Sequence, residues 1–399
     1  MTAKRSLLKV LLAFGACASS AVYAAKASVP EPINVPELMV TKAGVPVKDV
    51  ATWEKVRRAE LKEIFCENEY GWRPVERPDT LAFELAEPDK VMMDGKALRK
   101  RIRVMYAGPY GGGSFVFTAF IPRQNRPAPA FLLICNRDPD KNIDPERVNK
   151  SEFWPAEEIV ARGYAALAFW NGDVAPDDAK GKCSKGVHAC WAKERTANSW
   201  GALSAWAWGA SRVLDWVETE PLLDAKHFGV VGHSRGGKTA LLAGALDTRF
   251  AMACVNDSGC SGAKLNHIKL PKSESIDRIT KTFPHWFCLN YRTFAGKEFE
   301  MDFDQHMLVA LVAPRAVAIA SASKDNWAGQ RGEYASARLA SPAWELYGKK
   351  GLVSSGFPKP GEARQEGMVS YHFRPGIHNL TLHDWNRYMD FADRLGWRK

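Results

Sequence analysis

Beyond its first two dozen residues, this chain of 399 residues lacks any apolar run long enough to cross a bilayer. It lacks internal repeats and low-complexity tracts, which excludes solenoid and propeller architectures. Its cysteines and histidines do not fall at zinc-like spacings, so no structural metal is expected. It also lacks a focused basic run. The formal charge of +10 is spread along the chain, and no nucleic-acid module accompanies it, so no nucleic-acid partner is expected. What is present is an ordinary globular composition, 46% apolar and 25% charged, with enough material for a large core. Fourteen tryptophans are expected mostly in that core. The functional alternative is a flat indole face for stacking on sugar rings.

The first 24 residues read as a targeting segment. Lys4, Arg5 and Lys9 precede the short apolar run Val10-Leu11-Leu12-Ala13-Phe14, and Val22-Tyr23-Ala24 supplies small residues at a cleavage position. The apolar run is too short for a span, so a Sec-type signal peptide is expected, with the mature chain periplasmic or secreted. Cleavage after Ala24 would remove three basic residues and leave a charge of +7. Phe14-Gly15-Ala16-Cys17 is a poor lipoprotein box, which makes a lipid anchor on Cys17 the lesser alternative. Residues 25–48 form a Pro-rich linker, and residues 49–399 are expected to form one catalytic domain. Seven cysteines follow the targeting segment, leaving at least one free thiol. Cys183 and Cys190 are close enough in sequence to be a candidate disulfide pair, which an exported protein permits.

Alternating patterns over residues 81–121 predict antiparallel strands joined by the glycine-rich turn at Gly108 to Gly113. Continuous apolar runs then predict buried parallel strands. These lie at 130–135, 164–169, 228–231, 250–255, 316–320 and 368–373. Helical patterns lie between them, the clearest from Ser199 through Trp216, where Trp200, Leu203, Trp206, Ala210 and Val213 share a face. This alternation predicts a mostly parallel sheet covered by helices on both faces, with ligand sites beyond the carboxyl ends of the strands.

Gly232-His233-Ser234-Arg235-Gly236 sits between one of these strands and a small-residue helix start. It fits the G-x-S-x-G elbow, in which glycines permit a tight strand-to-helix turn that presents the serine hydroxyl. A serine nucleophile needs a base, and the base needs a carboxylate to orient it. His378 follows the last predicted strand in a Pro-Gly loop and is the expected base; His372 falls inside the strand and His383 in the first turn of the next helix. Asp257 and Asp325 both follow strand carboxyl ends, and position alone does not choose between them. Arg235 adds a permanent positive charge beside the nucleophile, suited to a tetrahedral oxyanion. Lys238 lies one helical turn past the serine and can face the same pocket.

With these residues in place, the chain resembles the bacterial glucuronoyl esterases of carbohydrate esterase family 15. The resemblance runs from about Trp53 to the C-terminus. It is carried by Gly232-His233-Ser234-Arg235-Gly236-Gly237-Lys238, Asn256-Asp257-Ser258-Gly259-Cys260, Phe283-Pro284-His285-Trp286-Phe287, Asp304-Gln305-His306, Ala313-Pro314-Arg315, Asp325-Asn326-Trp327 and Arg374-Pro375-Gly376-Ile377-His378. It implies an α/β-hydrolase fold, a three-layer αβα sandwich, and a serine esterase that cuts (4-O-methyl-)glucuronoyl esters between glucuronoxylan and lignin. It implies Ser234 as nucleophile and His378 as base. Asp257 stands at the family's usual acid position, where many members have glutamate, and Asp325 at the alternative position. Arg235 is the implied oxyanion partner, and Lys238, Glu274 and Trp327 match sugar-contacting positions. Neither a cofactor nor a stable membrane span is implied, and a monomer is expected. The alternatives are an acetyl xylan or feruloyl esterase on the same fold, and a catalytically silent carbohydrate-binding relative.

Overall fold

The computed structural model describes residues 33–354 and 356–399. The expected signal peptide and Cys17 lie outside these residues. Ten strands form one sheet: β1 (Ala82–Met92), β2 (Ala97–Gly108), β3 (Gly111–Pro122), β4 (Ala128–Cys135), β5 (Ala165–Trp170), β6 (Leu223–His233), β7 (Met252–Asn256), β8 (Ala316–Ala322), β9 (Ala363–Arg364) and β10 (Val369–Arg374). Their spatial order is β1-β2-β3-β5-β4-β6-β7-β8-β10-β9. The six strands from β5 through β10 in that order run parallel, while β1 to β3 and β9 pair antiparallel at the two edges. The glycine-rich turn closes β2 onto β3, with Gly108 opposite Gly111.

Strand alternation divides the interior into two cores. In β4, Ala130, Leu132 and Ile134 face one core, and Phe131, Leu133 and Cys135 face the other. Alternate residues of a strand point to opposite faces, so a run apolar on both sides needs a layer on each. The first core is covered by α1 (Arg58–Phe65), α2 (Ala202–Val217) and α3 (Arg235–Leu246). The second is covered by residues around Ile159 and by the C-terminal helix, which contributes Trp385, Tyr388 and Phe391. Every residue of α2 is buried, including Trp206, Trp208 and Trp216, as suits a helix that is apolar nearly all round. Ten of the fourteen tryptophans are buried, so packing accounts for most of that count.

Residues 33–48 lie against this body. Leu38 and Val47 join the first core, and the Arg57 guanidinium donates to the carbonyls of Leu38 and Glu37. The Cys183–Cys190 pairing is not formed, and the seven described cysteines are free thiols. The Cys183 thiol instead donates to the His285 carbonyl at 3.2 Å. Cys190 lies on a short helix and turns back onto the Gly186 carbonyl at 3.8 Å, so each sulfur has a separate local partner.

Among the described residues, no helix is long and apolar enough to cross a membrane. The parallel strands end together. His233 pairs with Asn256, Asn256 with Ala320, and Arg374 with Ala322. The chain segments leaving β6, β7, β8 and β10 therefore converge beyond one edge, and they carry Ser234, Asp257, Asp325 and His378 respectively.

Candidate active site

Ser234 follows β6 directly and takes φ +57° and ψ −121°, a conformation that L residues rarely adopt. The surrounding glycines make it attainable. A Cβ on Gly232 would lie 1.9 Å from the Gly236 carbonyl oxygen, and one on Gly237 would lie 2.6 Å from that of Asn256. The Ser234 amide donates to the Asn256 carbonyl at 2.9 Å, pinning the elbow to the end of β7. The Ser234 carbonyl accepts from Lys238 N–H at 3.0 Å, the first helical bond of α3.

The His378 imidazole lies in the loop after β10, with 39% of its side chain exposed. Its Nδ1 lies 2.5 Å from Asp325 Oδ2. An ionised carboxylate only accepts, so Nδ1 donates there and Nε2 is left free to accept a proton. The other oxygen of Asp325 accepts from Ala328 N–H at 3.3 Å, which fixes the carboxylate in its turn. His233 packs beside His378 with ring centroids 4.3 Å apart, and its Nδ1 is bonded to Asn256 Oδ1 at 2.6 Å. Burial, then the neighbouring His378, pushes His233 well below the usual histidine range and keeps it neutral.

Asp257 is close by but otherwise engaged. Its two oxygens accept from the backbone amides of Ala322, at 2.7 Å, and Asn379, at 3.3 Å; the Arg374 guanidinium stands 3.6 Å away. Among the described residues, Asp257, Asp325 and His378 are the one grouping at metal-ligand spacing, with ligand atoms within 4.8 Å of one another. Hydrogen bonds within the protein already engage them. Burial, then the neighbouring Asp325, pushes the Asp257 carboxyl well above the usual carboxylate range.

Arg235 opens α3. One terminal nitrogen of its guanidinium, Nη1, donates to Asp177 Oδ2, and the group lies against the stacked rings of Trp286 and Phe283, 5.1 and 5.7 Å from their centroids. Lys238 turns inward. Its ammonium donates to the carbonyls of Ser258 at 2.5 Å and Cys260 at 2.7 Å, and lies 3.4 Å from Glu274 Oε2. An ammonium has three protons, so these contacts engage all of them. Glu274 is buried, and its amide donates to the Trp327 carbonyl at 3.0 Å. The Trp327 indole is 39% exposed, with the Arg278 guanidinium over its ring at 4.7 Å. Lys238, Glu274 and Trp327 thus form a connected wall beside the elbow. A cavity of about 910 Å³ adjoins the same loop, lined by Leu270, Lys272, Asn326, Arg331 and Phe357 among others.

Three groups at this site escaped the sequence reading. Asp177 accepts from Arg235, His285 and Trp286. Glu333 accepts from the Ser258 and Ser321 hydroxyls and the Gly259 amide, tying the loop after β7 to β8. Asn256 holds His233. Asp177 follows β5 on the carboxyl-end side, where every other site residue lies, and that placement was its available signal.

The fungal glucuronyl esterase family model matches residues 149–348, half of the chain. Carbohydrate esterase MZ0003, from an unknown prokaryotic organism, is 32% identical over 92% of this chain and 90% of its own. The glucuronoyl esterase from Solibacter usitatus is 33% identical, with a TM-score of 0.84 over 92% of this chain and 99% of that one. A glucuronoyl esterase from Teredinibacter turnerae is 28% identical, with a TM-score of 0.81 over 90% and 89%. An elbow serine, a histidine bound to an aspartate and an adjoining arginine lie on an α/β-hydrolase frame that superimposes on these enzymes. The chain belongs to the glucuronoyl esterase family.

Proposed function

We propose that this protein is an exported serine esterase that hydrolyses esters of (4-O-methyl-)glucuronic acid, freeing lignin alcohols from glucuronoxylan and acting as a monomer. The observation that carries the reading is the His378–Asp325 pair at the same sheet edge as the Ser234 elbow. The basic and apolar first 24 residues support export.

In this reading, Ser234 Oγ attacks the carbonyl carbon of the uronate ester while its proton passes to His378 Nε2. Asp325 holds the imidazole in the tautomer that accepts this proton and steadies the imidazolium that results. The carbonyl oxygen takes up negative charge facing the Arg235 amide and guanidinium. Collapse breaks the bond to the alcohol oxygen, which leaves with the proton from His378. Water then attacks the glucuronoyl-serine, giving its proton to His378, and Ser234 departs with that proton. Because the acyl group is itself a sugar, its hydroxyls need polar walls. Glu274 and Trp327 supply one face, and Lys238 holds Glu274 and the Ser258–Cys260 carbonyls in place.

Partitioning tests this. Benzyl, phenyl and methyl glucuronate, each supplied with added ethanol, should give one common ratio of ethyl glucuronate to free acid, because all pass through the same acyl-enzyme. A ratio that follows the leaving alcohol, or turnover confined to acetylated or feruloylated sugars, contradicts the proposal.

A further inference from the structure

Arg235 acts at the oxyanion only if its guanidinium is aimed, and a long flexible side chain has no direction of its own. Two chain segments fix it here. Asp177, in the loop after β5, takes Nη1. Phe283 and Trp286 stack on each other with centroids 3.8 Å apart and an interplanar angle of 2°, and the guanidinium rests against the side of this stack, 5.1 and 5.7 Å from the Trp286 and Phe283 centroids. The same carboxylate is anchored from the other side. Its Oδ1 accepts from His285 Nε2 and from Trp286 Nε1, both at 2.7 Å. That segment is stitched to the rigid core, since Ala202 and Leu203, the first residues of α2, donate to the carbonyls of His285 and Trp286 at 2.9 and 3.3 Å.

Asp177 is thus bound by two ring N–H donors and one guanidinium. Burial alone would raise its carboxyl, but the His285 bond, the Arg235 charge and the Trp286 bond outweigh it and lower the group to about 2. A carboxyl lowered in the folded state stays ionised at every pH above that value, so the clamp does not slacken across the neutral range. Arg235 Nε is buried, so the terminal nitrogens are the donors that a bound ester can reach.

We infer that Asp177 is the positioning residue for Arg235: it takes one terminal nitrogen and turns the other toward the ester oxyanion. The inference rests on the esterase reading above, and it concerns how the charge is aimed. Asp177 touches no reacting atom. Its removal should therefore cost turnover and spare substrate affinity, and it should matter only while Arg235 is present.

The test is a cycle of Asp177→Asn and Arg235→Ala on benzyl glucuronate, with melting temperature measured alongside. Asparagine is isosteric and still accepts from Trp286, so the loop keeps a partner. The expected result is a kcat lowered about 10- to 100-fold with KM within about threefold. In the Arg235→Ala background the same change should alter kcat less than about twofold. Equal loss in both backgrounds, or a loss entirely in KM, overturns the inference. So does an Arg235→Ala variant of undiminished kcat. Ser234→Ala run in parallel separates these from failure of the esterase reading, which would show as undiminished activity in that variant. Should the asparagine variant not fold, Asp177→Glu, which keeps the charge and moves it by one methylene, runs through the same cycle with the same criteria.

Discussion

Ser234→Ala is expected to lower kcat on a glucuronate ester by about 10⁶-fold, about 8 kcal/mol of transition-state stabilisation. The size of the loss follows from what the hydroxyl does. In the proposed reaction it supplies the nucleophile, and without it the His378–Asp325 pair has no proton to take. The oxyanion donors remain, so a residual rate above that in water should persist. Stability should not suffer. The elbow conformation at φ +57° is disfavoured for alanine as it is for serine, and the backbone bonds to Asn256 and Lys238 do not involve the side chain. The check is steady-state turnover of benzyl glucuronate together with a thermal melt. Activity within tenfold of the wild type would remove Ser234 from the chemistry.

The second large effect separates the two aspartates. Asp325→Asn is expected to cost about 10⁴-fold in kcat, because an amide in place of the carboxylate favours the wrong imidazole tautomer and withdraws the charge that steadies the imidazolium. Asp257→Asn should cost less than about tenfold. The backbone amides of Ala322 and Asn379 hold that side chain, burial already favours its uncharged form, and the asparagine carbonyl can still accept from Ala322. Its effect should appear as a looser Asn379 and His378 loop, read as a modest fall in melting temperature. A reversed order, with Asp257→Asn the more damaging, would show that Asp257 orients the base during turnover.

Much of this site is legible in the sequence, for a local reason. Gly232, Ser234 and Gly236 lie within five residues, and steric limits on one turn explain them. His378 follows a strand and precedes a helix, so its placement needs only the order of elements. The six parallel strands read from continuous apolar runs, which burial on both faces requires. Which aspartate bonds His378 was not legible. Asp257 and Asp325 leave neighbouring strands at equivalent positions, and the choice rests on which side chain the amides of Ala322 and Asn379 capture. Those amides belong to the ends of β8 and the loop after β10, and only the folded register brings them to Asp257. Asp177 was hidden for the same reason, since its partners lie 58 and 108 residues away along the chain. Helical spacing gave the position of Lys238 but not the inward turn of its ammonium, which follows from carbonyls that the Ser258–Cys260 loop leaves unpaired.

The central claim is that the ester cleaved is that of the sugar's own carboxyl group. One vessel tests it: the purified protein with benzyl 4-O-methyl-glucuronate and an acetylated xylo-oligosaccharide at equal concentration, with free uronic acid and free acetate measured by chromatography over time. The account predicts release of the uronic acid with acetate at the level of an enzyme-free control. Acetate released first, with the uronate ester intact, would contradict it.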